Sequence, residues 1–371
     1  MHVAINALSI TNQSGTGRYT WGLIHGLANP RKPQLRLTVF IPNDFVIPND
    51  WAVEDNIRFI SIPIRSPLHR IFWEQYSLPT FLRKLKPDIL HSPAFISPVI
   101  FSTPVRHIIT VHDLAYKKYA KTIPFLRRVY YHWAIPKSMQ QAHTVFTDSV
   151  SIAREIQDLP YAPKRLIPLP LGVFHLQYQP EATDKDLAIL QQHAIQKPYY
   201  LFVGTQEPRK NLSTLLQAYT HARHKGLQTN LVLCGREGWM LSDSMAQAPG
   251  IIRTGFVPDE HLPALYRHAR MLIAPSLYEG FDLPTMEACA CGTPVLASDI
   301  PVHREVLLNH AAFVEVNNIE AWSQALRKAE TVLPPRCSEP IRTWSDVADE
   351  LMLEYTAMEN NFMEDIQIPV P

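Results

Sequence analysis

Glycine is scarce in this chain: 13 of 371 residues, about half the usual share of roughly 7%. Each glycine that is present therefore marks a position more sharply than usual. Cysteine is also rare. The four (Cys234, Cys289, Cys291, Cys337) form no CxxC pair, so a reduced, cytosolic protein with cysteines as small buried residues is expected. No run of 18 apolar residues exists. The most apolar region, ILHSPAFISPVIFSTPVRHIITV, is broken by prolines and histidines, and no membrane-spanning helix is expected. MHVAINALSI has no basic region ahead of an apolar core and reads as a strand, not a signal peptide. The formal charge is only +1 and the apolar share is 46%, which excludes a disordered chain. No fixed-period repeat and no low-complexity tract is present.

Short apolar runs alternate with helical patterns. HVAINAL, LTVFI, DILHSPA, RHIITVHD and HTVFTDS read as strands, with YTWGLIHGLA and AIPKSMQQAH as helices. A second set holds the strands YYLFVGT, NLVLCGR, IIRTGFV, MLIAPS, TPVLASD and AAFVEV, with LSTLLQAYTHARHKG, HLPALYRHA, TMEACACG and AWSQALRKAE between or after them. This alternation predicts an α/β fold with parallel, doubly wound sheets. The strands are too many for one sheet. Two domains are expected, over residues 1–175 and 176–345, with the break in LPLGVFHLQYQPEATD. Residues 346–371 read as a last helix that could pack on either. Doubly wound sheets bind ligands at the carboxyl ends of their strands, so the residues just after each strand are the candidates.

The stretch SLYEGFDLPTMEACACGTPVLAS, Ser276 to Ser298, is one such place. Pro284 suits the first position of a helix and Gly292 its C-terminal cap. Gly280, Phe281, Asp282 and Leu283 then lead from a strand into a helix of about eight residues, whose free N–H groups and positive dipole end suit an anion. Glu279 and Glu287 flank that end. Carboxylates beside a phosphate site accept hydrogen bonds from ribose or sugar hydroxyls instead. A plain strand, loop and capped helix would give the same pattern. In LFVGTQEPRKNLSTLLQAY a strand leads through Gly204 to Arg209 and Lys210 at a helix start. Cations there oppose the helix dipole, and a diphosphate between them would resolve the conflict. In SGTGRY, Gly15 and Gly17 would let the backbone approach a ligand, or form an ordinary strand-to-helix loop. It is not the dinucleotide fingerprint. His91 and His112 each end a strand; His91 reads as a structural histidine.

Together SGTGRY, TVHDL, TDSVS, LPLGV, GTQEPRKNL and YEGFDLPTMEACACGTPV, with Pro301 and Glu305, resemble the family 4 retaining glycosyltransferases over nearly the whole chain. The resemblance implies the GT-B architecture: two Rossmann-like domains facing across a cleft, the second binding a sugar nucleotide, the first mostly the acceptor, and a C-terminal helix that returns to the first. It implies that Arg209 and Lys210 hold the diphosphate, Glu279 the donor sugar and Glu287 the ribose. Gly17 matches a loop that closes over the phosphate, and His112 a histidine near the transferred sugar, with Asp113 beside it. No cofactor or metal is implied, since protein cations stabilise the leaving diphosphate. The implied reaction is a front-face displacement with retention. GDP-mannose is the first choice of donor, with mannosyltransferases of bacterial surface polysaccharide as the most similar members. UDP-sugars, a sugar phosphorylase or epimerase on the same scaffold, and an inactive binding subunit stand as alternatives. The family usually has Gly where this chain has Asp282. A carboxylate there would repel a diphosphate, unless it turns away, as in capping the helix, or alters donor preference.

The small net charge hides an uneven distribution. Between Arg58 and Lys137 there are thirteen Lys and Arg against three acids, Glu74, Asp88 and Asp113. Aromatics are interleaved, among them Phe72, Trp73, Tyr76, Phe125 and Trp133. This suits an anionic membrane surface or a phosphate-bearing lipid, or is a solvated basic face. No nucleic-acid motif is present. The expected partners are a nucleotide sugar and a glycan or lipid-linked acceptor, in the cytoplasm or on the inner face of the plasma membrane.

Overall fold

The continuous apolar runs form strands buried on both faces, as parallel sheets require. In the segment Tyr199–Val203, Tyr199 and Leu201 join one apolar cluster with Val232, Leu272 and Val295. Tyr200 and Phe202 join another with Leu231, Ile273 and Leu296. The alternation is the two-residue period of extended chain. The computed structural model describes residues 1–11, 15–28, 35–48, 51, 56–101, 103, 105–236 and 248–366, the last eight and Thr122 by their backbone.

The chain divides into two units. The first is Met1–Gly172 with Arg342–Pro371. Its strands are β1 (His2–Asn6), β2 (Arg36–Pro42), β3 (Ile57–Ile62), β4 (Ile89–Ser92), β5 (Arg106–Val111), β6 (Thr144–Thr147) and β7 (Leu166–Pro168). They form one parallel sheet in the order β3-β2-β1-β4-β5-β6-β7. The second unit, Val173–Ile341, contains β8 (Tyr199–Val203), β9 (Asn230–Cys234), β10 (Ile251–Gly255), β11 (Met271–Ala274), β12 (Val295–Ser298) and β13 (Ala311–Val314). Its parallel order is β10-β9-β8-β11-β12-β13. Strand order reverses between β1 and β4 in the first unit and between β8 and β11 in the second. Such switch points open a crevice at the carboxyl ends of the strands.

The last helix, Trp344–Ile366, packs within the first unit against the helix Gly15–Leu27. A β-carbon at Gly22 would overlap the Trp344 ring, so only glycine admits the indole there. Further along, the Tyr355 hydroxyl meets His91 Nδ1 at 2.7 Å, and Thr110 Oγ1 meets His91 Nε2 at 3.1 Å. His91 is fully buried and satisfied, as a structural histidine should be. One expectation is corrected here. Gly15 and Gly17 are not a loop but the first turn of the helix Gly15–Leu27; Ser14 lies outside the described residues.

Candidate active site

The two segments marked in the sequence leave β8 and β11, the pair that flanks the switch point of the second unit. After β8, Gly204 takes φ 153°, a conformation that favours glycine. The turn Pro208–Lys210 follows, and Asn211, at φ 53°, separates it from the helix Leu212–His224. After β11, the loop through Ser276–Asp282 enters the helix Leu283–Ala290. The Leu277 N–H donates to the Arg209 carbonyl at 2.8 Å. That bond ties the loops together and sets the register of their side chains.

Those side chains form a continuous chain of opposite charges. Arg209 donates to Glu207 at 3.0 Å and, through Nη1, to Glu279 Oε2 at 2.8 Å. The other Glu279 oxygen lies 2.6 Å from Lys210 Nζ. Lys210 Nζ also reaches Asp282 Oδ1 at 3.1 Å, and Asp282 Oδ2 lies 3.2 Å from His303 Nε2. His303, from the helix Pro301–Leu307, is fully buried, with Nδ1 at 2.9 Å from the Ser298 carbonyl and 3.1 Å from its hydroxyl. Ser298 in turn donates to the Ser276 carbonyl. Lys210, Glu279 and Asp282 are all buried, and Lys210, Asp282, Ser276, Val203 and Pro284 line one small cavity.

The electrostatics follow from that packing. Burial pulls the Lys210 pKa down, but Asp282 and Glu279 outweigh it and the net shift is upward. Burial pushes Glu279 up, but Lys210 and Arg209 outweigh it and hold the carboxyl below its ordinary value. Burial acts on Asp282 likewise, yet Lys210 and the His303 hydrogen bond hold it well below the usual carboxylate range. Both cations and both acids are therefore charged at neutral pH. A buried site of this kind keeps its charges only because each is paired.

Asp282 takes φ 76° at the N-terminal boundary of its helix, but its side chain makes no capping bond. The capping role suggested for it is corrected: it turns to Lys210 and His303. Thr285 bonds the Asp282 carbonyl instead, through N–H at 3.0 Å and Oγ1 at 2.7 Å. Gly280, Phe281 and Leu283 are buried in the same loop and helix start. Glu287 follows about one turn into the helix. It accepts the Tyr266 hydroxyl at 2.9 Å.

The first unit holds His112, just after β5. Its Nδ1 lies 2.9 and 3.1 Å from the two Asp148 oxygens, and its Nε2 lies 2.8 Å from the Pro93 carbonyl. Tyr19 meets the ring edge-on at 4.7 Å. Burial lowers the His112 pKa, but Asp148 outweighs it and the net shift is upward. The sequence points to Asp113 as the neighbour. The bonded carboxylate is instead Asp148, at the end of β6, while Asp113 accepts the Ala115 N–H at 2.9 Å. Asp148 and His303 are the residues that sequence reasoning missed. Each ends a strand or opens the next helix, in TDSVS and in SDIPVHREV, where only Pro301 and Glu305 drew notice.

The first unit also carries the basic, aromatic-rich region. Of the 18 exposed large hydrophobics among the described residues, ten lie between Leu68 and Trp133. Phe125, Leu126, Val129 and Trp133 are exposed along the helix Phe125–Gln141. Phe72 stacks on Tyr76, which meets Phe101 edge-on. Gln75 donates to the Tyr130 hydroxyl at 3.2 Å and joins the two helical segments. Arg128 lies over Phe125 and Lys137 over Trp133. Glu74, one of the three acids of the region, is buried against Arg70 and Asn6. No helix among the described residues is long and apolar enough to cross a membrane. No three His, Cys, Asp or Glu side chains among them converge as a metal site.

Comparison with known proteins matches two family models. Residues 13–174 match the model described as Glycosyltransferase Family 4, and residues 187–336 the one described as Glycosyl transferases group 1. The chain is 31% identical over 332 residues to the O-antigen chain mannosyltransferase B of Escherichia coli, covering 84% of this chain and 85% of that one. It is 26% identical over 231 residues to the O-antigen chain mannosyltransferase RfbU of Salmonella typhimurium, covering 60% of each. Among solved structures, the sucrose-phosphate synthase of Thermosynechococcus elongatus aligns with a TM-score of 0.70 at 17% identity, over 97% of this chain and all of that one. That likeness is one of fold.

Proposed function

The chain belongs to the family 4 glycosyltransferases and has their GT-B fold, and from that premise we propose that this hexosyltransferase moves mannose from GDP-mannose to a glycan or lipid-linked acceptor, with retention. The observation that carries the reading is the chain Arg209–Glu279–Lys210–Asp282 at the switch point of the second unit. Two fixed cations stand there, where a leaving diphosphate gathers negative charge. Glu279 joins them and is the group suited to a sugar hydroxyl. Glu287, already a hydrogen-bond acceptor for Tyr266, is assigned to the ribose. His112 is assigned to the transferred sugar. The choice of mannose and of surface polysaccharide rests on the mannosyltransferase relatives.

In the proposed reaction the bond between the anomeric carbon and the terminal phosphate oxygen breaks, and its electron pair stays on that oxygen. The acceptor hydroxyl attacks the same face of the sugar and passes its proton to a donor phosphate oxygen. Arg209 and Lys210 take the charge role a metal would otherwise have. The basic, aromatic surface of the first unit would hold the enzyme against an anionic membrane that carries lipid-linked acceptor.

A panel of sugar nucleotides tests the donor, because a bound ligand raises the melting temperature by mass action. GDP-mannose should give the largest shift, and GDP should be released only when an acceptor is present. A larger shift with a UDP-sugar would overturn the donor assignment. Turnover without an acceptor would favour an epimerase.

A further inference from the structure

We propose that Asp282 is a release determinant: a built-in anion that shares the Lys210 ammonium and so weakens the hold on the nucleoside diphosphate product more than on the sugar-nucleotide donor. The inference rests on the reading of Arg209 and Lys210 as the diphosphate site.

Three observations carry it. First, Lys210 Nζ has three hydrogens, and two carboxylates already claim it, Glu279 at 2.6 Å and Asp282 at 3.1 Å. A phosphate oxygen must join or displace them. Second, Asp282 is held from behind. Its second oxygen lies 3.2 Å from Nε2 of the fully buried His303, which is anchored on Ser298. His303 is thus a positioning residue that keeps the carboxylate aimed at Lys210. Third, the backbone at Asp282 has φ 76°, where an ordinary side chain is disfavoured and glycine is at ease. Asp enters that conformation more readily than most residues, and its carboxylate stands in a cavity that Lys210 also lines.

A fixed negative charge repels a ligand in proportion to the ligand's charge. The donor's diphosphate is doubly ionised, with its terminal phosphate esterified to the sugar. Transfer frees that terminus, whose second ionisation falls near pH 6, so at neutral pH the product carries about one more negative charge than the donor. Asp282 therefore opposes the product more strongly and shifts the site toward exchange.

The test uses the full chain with GDP and UDP as probes. Kd for each is measured by calorimetry, and KM for the donor and product inhibition by kinetics, in the wild type, Asp282→Gly, Asp282→Asn and Lys210→Ala. The nucleotide that the wild type binds should bind about tenfold tighter to both Asp282 variants. The donor KM should fall by less, and the ratio of product inhibition constant to KM should drop. His303→Gln, which keeps an N–H for the carboxylate, should lie between. Glycine suits the backbone at 282, so Asp282→Gly decides the matter if Asp282→Asn melts early. Unchanged or weaker nucleotide binding in Asp282→Gly overturns the inference. If Lys210→Ala has lost the nucleotide as well, the diphosphate reading survives that failure. If Lys210→Ala binds it as the wild type does, or no nucleotide binds at all, the reading falls and the inference with it.

Discussion

Lys210 is the residue on which the second unit's charge balance turns. Its ammonium faces two buried carboxylates, so Lys210→Ala strips both of a partner. Removing one member of a buried ion pair costs about 3–5 kcal/mol, and a urea titration should show a loss of that size. Arg209 is partly exposed and its loss should cost less. For turnover the two should behave alike: Arg209→Ala and Lys210→Ala are each expected to lower kcat at saturating donor by about two orders of magnitude, the size of one charge-stabilising contribution. A variant that keeps most of its kcat would show that its cation does not meet the leaving group. In the first unit, His112 has a carboxylate at one ring nitrogen and a carbonyl at the other. A carboxylate and a carbonyl at the two nitrogens both favour the charged ring, in keeping with the upward shift. Among the described residues, Asp148, Asp113, Tyr19 and His91 are titratable groups that face it. His91 is pushed down to about 3 by burial and stays neutral. Since the folded His112 pKa is raised above its ordinary value near 6.5, its contribution is complete below that value and lost as pH rises through the folded value. The melting-temperature gap between the wild type and Asp148→Asn should therefore be widest at about pH 6 and narrow in alkali. A gap constant with pH would refute the cationic ring.

At the scale of elements, legibility tracked apolar runs rather than burial alone: the half-buried edge strand β10 was read from IIRTGFV as readily as the central strands. Strands buried on both faces, such as β1 and β8, are continuous apolar runs and stood out in the sequence. The edge strands β3 and β7 are half-buried; IRFISI mixes polar and apolar residues and LIP is three residues long, so neither announced itself. The loops after β8 and β11 were legible because glycine, proline and charge are concentrated there. The partners Asp148 and His303 were not, because they come from other strand ends, and only the parallel order brings those ends together. Asp282 was recognised as a departure, but its direction depended on a His 21 residues away. The Gly22–Trp344 contact is likewise a matter of two elements distant in sequence. Gly22→Val should displace the indole and cost about 1–3 kcal/mol as overpacking. Trp344 fluorescence should shift in the native variant, and an unchanged spectrum with unchanged stability would contradict the packing.

For the whole molecule, two expectations concern its surroundings. Activity should persist in excess EDTA, since Arg209 and Lys210 are assigned the charge that a metal would carry. Loss of activity, restored by magnesium or manganese, would defeat that assignment. The surface between Leu68 and Trp133 should bind vesicles containing phosphatidylglycerol and not purely zwitterionic ones. Each engaged Lys or Arg is worth about 1 kcal/mol near an anionic surface, and binding should weaken with salt as the Debye length shrinks from about 10 Å at 0.1 M to about 3 Å at 1 M. Reversing the charge of Arg127 and Arg128 together should release the protein in a co-sedimentation assay. Equal binding to both kinds of vesicle would leave a soluble acceptor as the better reading.

The return of the chain to its first unit has a consequence for its birth on the ribosome. Residues 1–172 are made first, yet the helix that covers Gly22 and bonds His91 begins only at Trp344. The second unit, 173–341, must emerge in between. At about 5–20 residues per second, the first sheet waits on the order of ten to thirty seconds with its Trp344 and Tyr355 sites uncovered. The part translated earliest is thus the part completed last. A nascent chain halted before 342 should be cut by protease in the first unit, while the same chain released after 366 should resist.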